Sequence, residues 1–191
     1  RNGTTPGTWG FQASFWPAPS AYKDAVNMGS CDVNNDGRDD IIVGRYNGLA
    51  DVFYSPVTTD ANGYATINWR INLQTVNSIY ASYYTRVACT DFDADGYGDV
   101  VVSNTYDGII RVYSGRTQAA IGSIGTGYTN LMVGAGDFNG DGFGDVIAAQ
   151  ANANPGVLRS YYSNGAGMIT ASFTHSPYPG QQMNVTMTDI N

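Results

Sequence analysis

Three short acidic segments hold the side chains whose types and spacing could do chemistry. Each follows the pattern D-x-[DN]-x-D-G-x-x-D, so carboxylate or amide oxygens recur at positions 1, 3, 5 and 9. Alternate residues of a tight loop point inwards, and glycine at position 6 permits a sharp turn that a Cβ would obstruct. Calcium takes about six to eight oxygen ligands in proteins. The pattern therefore predicts calcium-binding loops.

Five residues of each loop are predicted ligands, four through side-chain oxygens and the residue at position 7 through its backbone carbonyl. They are Asp32, Asn34, Asp36, Arg38 and Asp40; Asp91, Asp93, Asp95, Tyr97 and Asp99; and Asp137, Asn139, Asp141, Phe143 and Asp145. A carbonyl ligand leaves the side chain at position 7 free to vary, as it does here. One ion in each loop gives about three Ca²⁺ ions. Their charge would largely offset the net charge of −7.

Two other interpretations of these segments compete with a calcium loop of this kind. The EF-hand shares the first six positions but needs Glu at position 12 and a helix on each side. Position 12 is Val43, Val102 or Ala148, the chain has no Glu, and the flanking runs are typical of strands. We therefore reject the EF-hand. Ordinary Asp-Gly hairpin turns are the second interpretation, and three copies with the same polar spacing argue against it.

The composition predicts an all-β protein. The chain has 191 residues, enough for one domain with a sizeable core. Charged residues make up only 13%, and strong helix formers other than alanine are scarce. The net charge of −7 argues against a nucleic-acid partner, which needs a basic face. No apolar run approaches the roughly 18 residues of a membrane span, so we expect no membrane insertion.

The acidic loops mark an internal repeat. They begin at residues 32, 91 and 137, and steps of 59 and 46 residues suit a unit of about four short strands. We predict one repeat domain over 1–191, with an N-terminal strand over 1–23 that completes a preceding unit. Repeats then cover 24–81, 82–126 and 127–179, and a truncated fourth repeat begins over 180–191. That last stretch adds Asp189 and Asn191 as tentative ligands.

Runs rich in β-branched and aromatic residues, bounded by Gly, Asn and Pro, predict four strands in each repeat. The first strands are 25–31, 85–90 and 131–136, and the second strands are 40–44, 99–103 and 145–149. The third strands are 50–55, 109–114 and 157–162, and the fourth strands are 65–73, 119–124 and 168–173.

The segment Gly29-Ser-Cys-Asp-Val-Asn-Asn-Asp-Gly-Arg-Asp-Asp-Ile-Ile-Val-Gly44 and its two counterparts resemble FG-GAP repeats. Such repeats build the integrin alpha-subunit β-propeller, and the related VCBS-type repeats occur in secreted microbial proteins. The resemblance covers most of 24–179 and implies a β-propeller-like array of about three four-stranded antiparallel blades. It also implies that the loop residues named above bind calcium. Propellers close with about four to eight blades, so three units imply a partial propeller or an open assembly.

The resemblance implies a calcium-stabilised extracellular module, structural or adhesive, that mediates protein interaction or self-assembly. We expect it at the cell surface or secreted, with a copy of itself or another protein as partner. A filament is one form of self-assembly: Asp189-Ile-Asn191 of one chain followed by Arg1-Asn2-Gly3 of the next would fit D-x-N-x-N-G. Coincidence in a chain rich in Asn and Gly is the favoured alternative.

Two further function classes stay open. A lectin-like propeller that binds carbohydrate would use rigid aromatic rings at its surface, although the same rings could simply pack between sheets. The candidate rings are Tyr80, Tyr83, Tyr84, Tyr106, Tyr128, Tyr161, Tyr162, Trp9, Trp16 and Trp69. A propeller-borne polysaccharide lyase or hydrolase is the less favoured class.

We expect no enzymatic activity. Catalysis needs a positioned acid, base or nucleophile, and the single histidine, His175, follows a predicted strand in a segment expected to be a loop. No nucleophile elbow, P-loop or dinucleotide fingerprint is present. Aspartates outside the loops could supply a glycosidase-type pair, but turn and surface roles are favoured for Asp24, Asp39, Asp51, Asp60 and Asp107.

The two cysteines and two asparagines complete the candidate sites. Cys31 and Cys89 precede successive loops by one and two residues, so they could pair across neighbouring strands. The one-residue offset could also turn them to opposite faces, which leaves a disulfide and two buried thiols as open alternatives. Asn2 and Asn184 lie in N-x-[ST] patterns and become N-glycosylation candidates if the protein is secreted by a eukaryote.

Overall fold

The computed structural model describes residues 27–150, 157–167 and 173–175. These residues form twelve β-strands and three short 3₁₀ segments, which confirms the all-β prediction. In this part of the chain, no helix has the length and apolar character needed to cross a membrane. The predictions at Asn2, Trp9, Trp16, Asp24, Asn184, Asp189 and Asn191 lie outside the described residues.

The strands form three separate four-stranded sheets in chain order. The first contains β1 (Asn27–Cys31), β2 (Asp40–Gly44), β3 (Leu49–Phe53) and β4 (Trp69–Asn72). The second contains β5 (Thr85–Thr90), β6 (Asp99–Asn104), β7 (Ile109–Tyr113) and β8 (Ala120–Gly125). The third contains β9 (Leu131–Gly136), β10 (Asp145–Gln150), β11 (Leu158–Tyr161) and β12 (Phe173–His175). The 3₁₀ segments are Tyr46–Gly48, Leu73–Thr75 and Ser78–Ser82.

Neighbouring strands are antiparallel throughout, so each sheet is a meander. The first and second strands of each repeat begin and end within about two residues of their predicted positions. The prediction for β4 was wrong at its start, because β4 begins at Trp69 rather than at residue 65. The expected loop position of His175 was also wrong, since its backbone ends β12. How the chain divides into repeats stays a prediction.

The middle sheet packs on both sides, which explains the apolar run of β6. Val100 and Val102 face the first sheet, where they pack with Val52 in a cluster that also contains Val87 of β5. Val101 belongs to the opposite face and packs against the third sheet. A strand buried on both faces needs apolar residues at every position rather than at alternate positions. The three sheets therefore form successive layers with two buried interfaces.

The outer face of the first sheet is covered by residues 57–67. Ala65 is buried against Val43 and Phe53, and Val57 and Ile67 pack onto the same cluster. The covering segment folds back on itself at a turn over residues 60–63 and is held by a bridge between residues 59 and 65. This is why residues 65–67 do not extend β4: they lie over the sheet instead of within it.

Candidate metal centre

The three acidic loops all lie at the same end of their sheets, between the first and second strands. Each loop has a left-handed backbone at two positions. The glycines at position 6 have φ of 84°, 88° and 89° (Gly37, Gly96 and Gly142), as the spacing predicted. Position 4 is left-handed as well, with φ of 56°, 59° and 75° (Asn35, Ala94 and Gly140). The sequence pattern did not reveal the left-handed conformation at position 4, because Asn, Ala and Gly share no obvious side-chain property.

The aspartate at position 1 holds the backbone of its own loop. In the second loop, Asp91 Oδ1 accepts from the Asp95 N–H at 3.0 Å and Oδ2 from the Gly96 N–H at 2.9 Å. Asp32 and Asp137 make the equivalent pairs of hydrogen bonds in their loops. For Asp137 these backbone donors, with Gly142 as the strongest, lower the pKa below the usual value of an aspartate. The carboxylate that the pattern assigned to an ion thus also shapes the loop.

The aspartate at position 9 is fully buried in each loop and accepts two backbone hydrogen bonds. Asp99 Oδ2 accepts from the Phe92 N–H at 2.8 Å, and Oδ1 accepts from the Gly115 N–H at 3.0 Å. Asp40 and Asp145 repeat this arrangement with the loop residue at position 2 and with the second residue after the third strand. This aspartate therefore ties the loop to the third strand of its own sheet.

Burial governs the ionisation of these inner aspartates. It raises the pKa of Asp99 to about 7, although the N–H groups of Gly115 and Phe92 act in the opposite direction. The pKa values of Asp40 and Asp145 are raised for the same reason. Near neutral pH the carboxylate of Asp99 is therefore poised between its neutral and charged forms.

The second loop brings three carboxylates together. Asp91, Asp93 and Asp99 each offer one oxygen, and these three oxygens lie within 4.8 Å of one another. Asp93 Oδ1 is buried and has no hydrogen-bond partner. Burial and the charges of Asp95 and Asp91 raise the pKa of Asp93. A buried oxygen without a donor beside two further carboxylates is a donor set suited to a hard cation.

The first and third loops are organised differently because asparagine stands at position 3. Asn34 Nδ2 donates to Asp36 Oδ2 at 3.3 Å, and Asn139 Nδ2 donates to Asp141 Oδ2 at 2.9 Å. Among the described residues, the second loop is where three acidic oxygens come this close. The residues of the second loop thus fit a cation best, and the other two loops satisfy part of their oxygens internally.

The residues at positions 5 and 7 are linked through the backbone. The N–H groups of Arg38, Tyr97 and Phe143 donate to the aspartate at position 5 of their own loop at 2.9–3.0 Å. Their carbonyl groups as ligands stay a prediction. In the second loop, the exposed Arg116 side chain approaches Asp95 Oδ2 at 3.9 Å and lies over the Tyr97 ring.

Successive loops touch each other through the glycine at position 8. The Gly98 N–H donates to the Asp32 carbonyl at 2.7 Å, and the Gly144 N–H donates to the Asp91 carbonyl at 2.7 Å. A Cβ on Gly144 would lie 2.7 Å from the Asp91 carbonyl oxygen, and a Cβ on Gly98 would lie 2.9 Å from that of Asp32. The close approach therefore requires glycine. Sequence reasoning missed this role, although the D-G-x-G-D spelling of the second and third loops carried the signal.

A disulfide joins the first strands of the first two sheets. Cys31 and Cys89 are bonded, with their Cα atoms 6.0 Å apart. The offset that left this pairing open from the sequence does not separate them, because β1 and β5 belong to different, neighbouring sheets. The rule that a one-residue offset turns a side chain to the opposite face applies to strands paired within one sheet. The disulfide therefore links the first two sheets covalently, beside the first two loops.

The surface role predicted for Asp51 was wrong. Its carboxylate is fully buried and accepts from Arg45 Nη1 and from Arg70 Nε, each at 2.6 Å. A buried carboxylate is tolerated when cations and hydrogen bonds compensate its lost hydration. Asp60 has the predicted turn role, since Oδ1 accepts from the N–H groups of Asn62 and Tyr64 at 2.9 Å.

Asp107 is likewise held in a polar cluster rather than free at the surface. Arg111 Nη2 donates to Asp107 Oδ2 at 2.7 Å, and the Tyr80 hydroxyl donates to the same oxygen. The Arg111 guanidinium also lies over the Tyr80 ring. Because Tyr80 reaches Asp107 and Arg111 from the connection between the first two sheets, this cluster fastens those sheets together.

The candidate aromatic platform divides into core and surface residues. Tyr80, Trp69 and Tyr161 are buried in the interfaces between sheets, as the packing alternative predicted. The rings of Tyr83 and Tyr106 are in contact, with centroids 4.7 Å apart and planes tilted by 36°, and Tyr106 is 41% exposed. This pair is the part of the aromatic set best placed to meet a ligand.

Comparison with known proteins supports the repeat assignment. Residues 91–148 match the family of FG-GAP-like repeats. The matched segment starts at the first residue of the second loop, contains the third loop and ends in β10. No curated protein matches the chain. The FG-GAP resemblance is thereby confirmed over this segment, and an FG-GAP-like repeat suggests a β-propeller-type protein-interaction module.

Proposed function

We propose that this FG-GAP-type repeat protein is a calcium-stabilised interaction module that works outside the cell. Its sheets act as propeller-like blades, and its partner is another protein or a second copy of the chain. The observation that carries the proposal is the second loop, where Asp91, Asp93 and Asp99 converge and Asp93 Oδ1 is buried without a donor. Oxygen ligands of this kind favour a hard cation over a transition metal.

The second loop provides the principal ion site in this proposal. Asp91, Asp93, Asp95 and Asp99 would hold the cation, with the carbonyl of Tyr97 as a further ligand. The ion would supply positive charge to carboxylates that burial and mutual repulsion otherwise destabilise. The first and third loops have asparagine in place of aspartate at position 3, and so one carboxylate fewer among the predicted ligands, and we expect weaker binding there.

An extracellular location is supported by the disulfide and is compatible with the proposed calcium binding. Disulfides persist in oxidising compartments and are rare in the cytosol of most organisms. The bond between Cys31 and Cys89 lies directly beside the first two loops. Calcium sites in extracellular modules bind with dissociation constants of about 10⁻⁴–10⁻³ M. A loop with modest affinity is therefore suited to that environment.

Thermal unfolding with and without calcium tests this proposal. A ligand that binds the native state stabilises it by about 2.7 kcal/mol at one hundred times its Kd. Excess chelator should lower the Tm of the wild-type chain, and Asp93→Ala should remove most of that calcium-dependent shift. Asp60→Ala is the matched control, because Asp60 shapes a turn outside the loops and its replacement should leave the shift intact. A Tm that is the same in calcium and in chelator would refute the proposal.

Carbohydrate binding is a second candidate function, favoured by the neighbouring rings of Tyr83 and Tyr106. An exposed ring can stack on the apolar face of a sugar, and Tyr106 is 41% exposed. A glycan array with the wild-type chain and with Tyr106→Ala tests it. Specific binding that Tyr106→Ala abolishes would support a lectin, and an array without binding would eliminate it.

A further inference from the structure

The three acidic loops are joined to one another by direct backbone contacts. The first contact in each junction is the hydrogen bond from glycine at position 8 to the carbonyl at position 1 of the preceding loop. It joins Gly98 to Asp32 and Gly144 to Asp91 at the same distance of 2.7 Å. In each case the residue after the glycine is the buried aspartate at position 9, which is Asp99 or Asp145. A candidate ligand of one loop is therefore one residue away from the backbone of the loop before it.

A second contact in each junction reaches the same aspartate from the other side. The Gly115 N–H donates to Asp99, and a Cβ on Gly115 would lie 2.5 Å from the Val33 carbonyl oxygen of the first loop. In the next junction, the Ser163 N–H donates to Asp145, and Ser163 Oγ donates to the Phe92 carbonyl at 3.0 Å. One partner of each inner aspartate, Gly115 for Asp99 and Ser163 for Asp145, thus contacts the preceding loop.

The contacts continue through the second loop. Asp91 holds its own loop through its carboxylate and holds the third loop through its carbonyl. Asp99 ties the second loop to Gly115, which rests against the first loop. Ordering the second loop therefore fixes groups that position both neighbours. The reverse also holds, because a coupling free energy between two sites is reciprocal.

We propose that the three loops bind cations cooperatively and that the second loop is the centre of the coupling. This inference rests on the proposed calcium function and deepens it. The coupling is positive. An ion in one loop orders the backbone groups that contact the neighbouring loop, so the neighbouring loop loses less conformational entropy when it binds its own ion. The glycines at position 8 act as positioning residues for the aspartates that follow them.

Tyr97 provides a probe that is specific to the second loop. It occupies position 7, where the other loops have Arg38 and Phe143. Terbium, a calcium substitute, luminesces when a nearby excited tyrosine transfers energy to it. Titration of the full chain with terbium should give a signal that Tyr97→Phe removes. The midpoint of that signal measures the affinity of the second loop alone.

Disabling a neighbouring loop tests the coupling. Asp36→Asn in the first loop or Asp141→Asn in the third loop should move the Tyr97 signal to terbium concentrations about fivefold higher or more. Ser163→Ala should also shift it, since it removes the contact with Phe92 while the N–H to Asp145 remains. Asp60→Ala, outside the loops, should not shift it. Circular dichroism verifies that each variant is folded.

The outcomes separate the inference from the function on which it rests. Terbium binding at the second loop with a midpoint that no neighbouring variant moves would overturn the coupling and leave the metal site standing. A wild-type chain without Tyr97-sensitised luminescence would overturn both. A shift in the neighbouring-loop variants alone, absent in Asp60→Ala, supports cooperative binding.

Discussion

The Gly144 N–H donates to the Asp91 carbonyl at 2.7 Å, so the third loop rests directly on the second. The same bond joins Gly98 to Asp32 one repeat earlier. Each loop thus has two tasks: its side chains converge on a candidate ion site, and its backbone supports the next loop. This contact therefore connects the regular spacing of the loops in the sequence with the packing of the sheets that carry them.

A side chain at Gly144 should destabilise the fold. In Gly144→Ala the Cβ would meet the Asp91 carbonyl and the Thr90 side chain, so the two loops must separate. We expect a loss of about 1–3 kcal/mol in the free energy of unfolding, as for other overpacked sites. Gly125→Ala is the control, because a Cβ there has open space. Equal stability of the two variants in denaturant titration would contradict the contact.

Reduction of the disulfide should weaken the chain considerably. The cysteines are 58 residues apart, and closing a loop of that length stabilises a fold by about 4 kcal/mol in the chain-entropy treatment. A reductant should therefore lower the denaturation midpoint of the wild-type chain. The double variant Cys31→Ala and Cys89→Ala should have the lower denaturation midpoint without reductant, and reductant should not change it. If reductant leaves the wild-type midpoint unchanged, the bond contributes nothing to stability.

Position 4 of the second loop should tolerate glycine better than the native alanine. Ala94 has φ of 59°, a left-handed conformation that strains a residue with a Cβ. Ala94→Gly should raise the free energy of unfolding by about 1 kcal/mol, and Gly140→Ala at φ of 75° should lower it by a similar amount. Thermal denaturation of both variants checks the pair. Changes of the same sign would show that backbone strain is not the cause.

Without calcium, stability should fall as the pH rises towards neutrality. Burial raises the pKa of Asp99 from 3.8 in the unfolded chain to about 7 in the fold, so the native state keeps a proton that the unfolded state releases. The contribution is fully present below about pH 4 and is lost as the pH passes about 7. Between pH 5.5 and 8 the loss should be on the order of 2 kcal/mol. Urea titrations in chelator measure it.

Calcium should remove this pH dependence above the pKa, since a cation favours the ionised carboxylate. Asp99→Asn in chelator serves as the control, because it lacks the ionisable group and should show a flatter profile. A wild-type chain in chelator that is more stable at pH 8 than at pH 5.5 would mean that Asp99 does not govern the profile.

The sequence predicted the parts of the fold that depend on local pattern. The strands over 85–90 and 131–136 lie where they were predicted, in the short runs before the second and third loops. The loops themselves were predictable because one short pattern encodes both the turn and the inward oxygens. Burial of β6 on both faces follows from its unbroken valine run.

Features that depend on packing between repeats could not be predicted. Asp51 was expected at the surface, and the pairing with Arg45 and Arg70 becomes visible when the strands are placed. The bond between Cys31 and Cys89 depends on two strands in different sheets, for which sequence gives no register. The packing of residues 57–67 over Val43 and Phe53 becomes visible only when the three-dimensional path of that segment is known.

The central claim is that the second loop binds calcium, and isothermal titration of the calcium-free chain tests it most directly. We predict saturable calcium binding at pH 7.4, with the tightest step lost in Asp93→Ala and kept in Asp60→Ala. A wild-type chain that takes up no calcium, or an Asp93→Ala variant that binds it as the wild type does, would contradict the account.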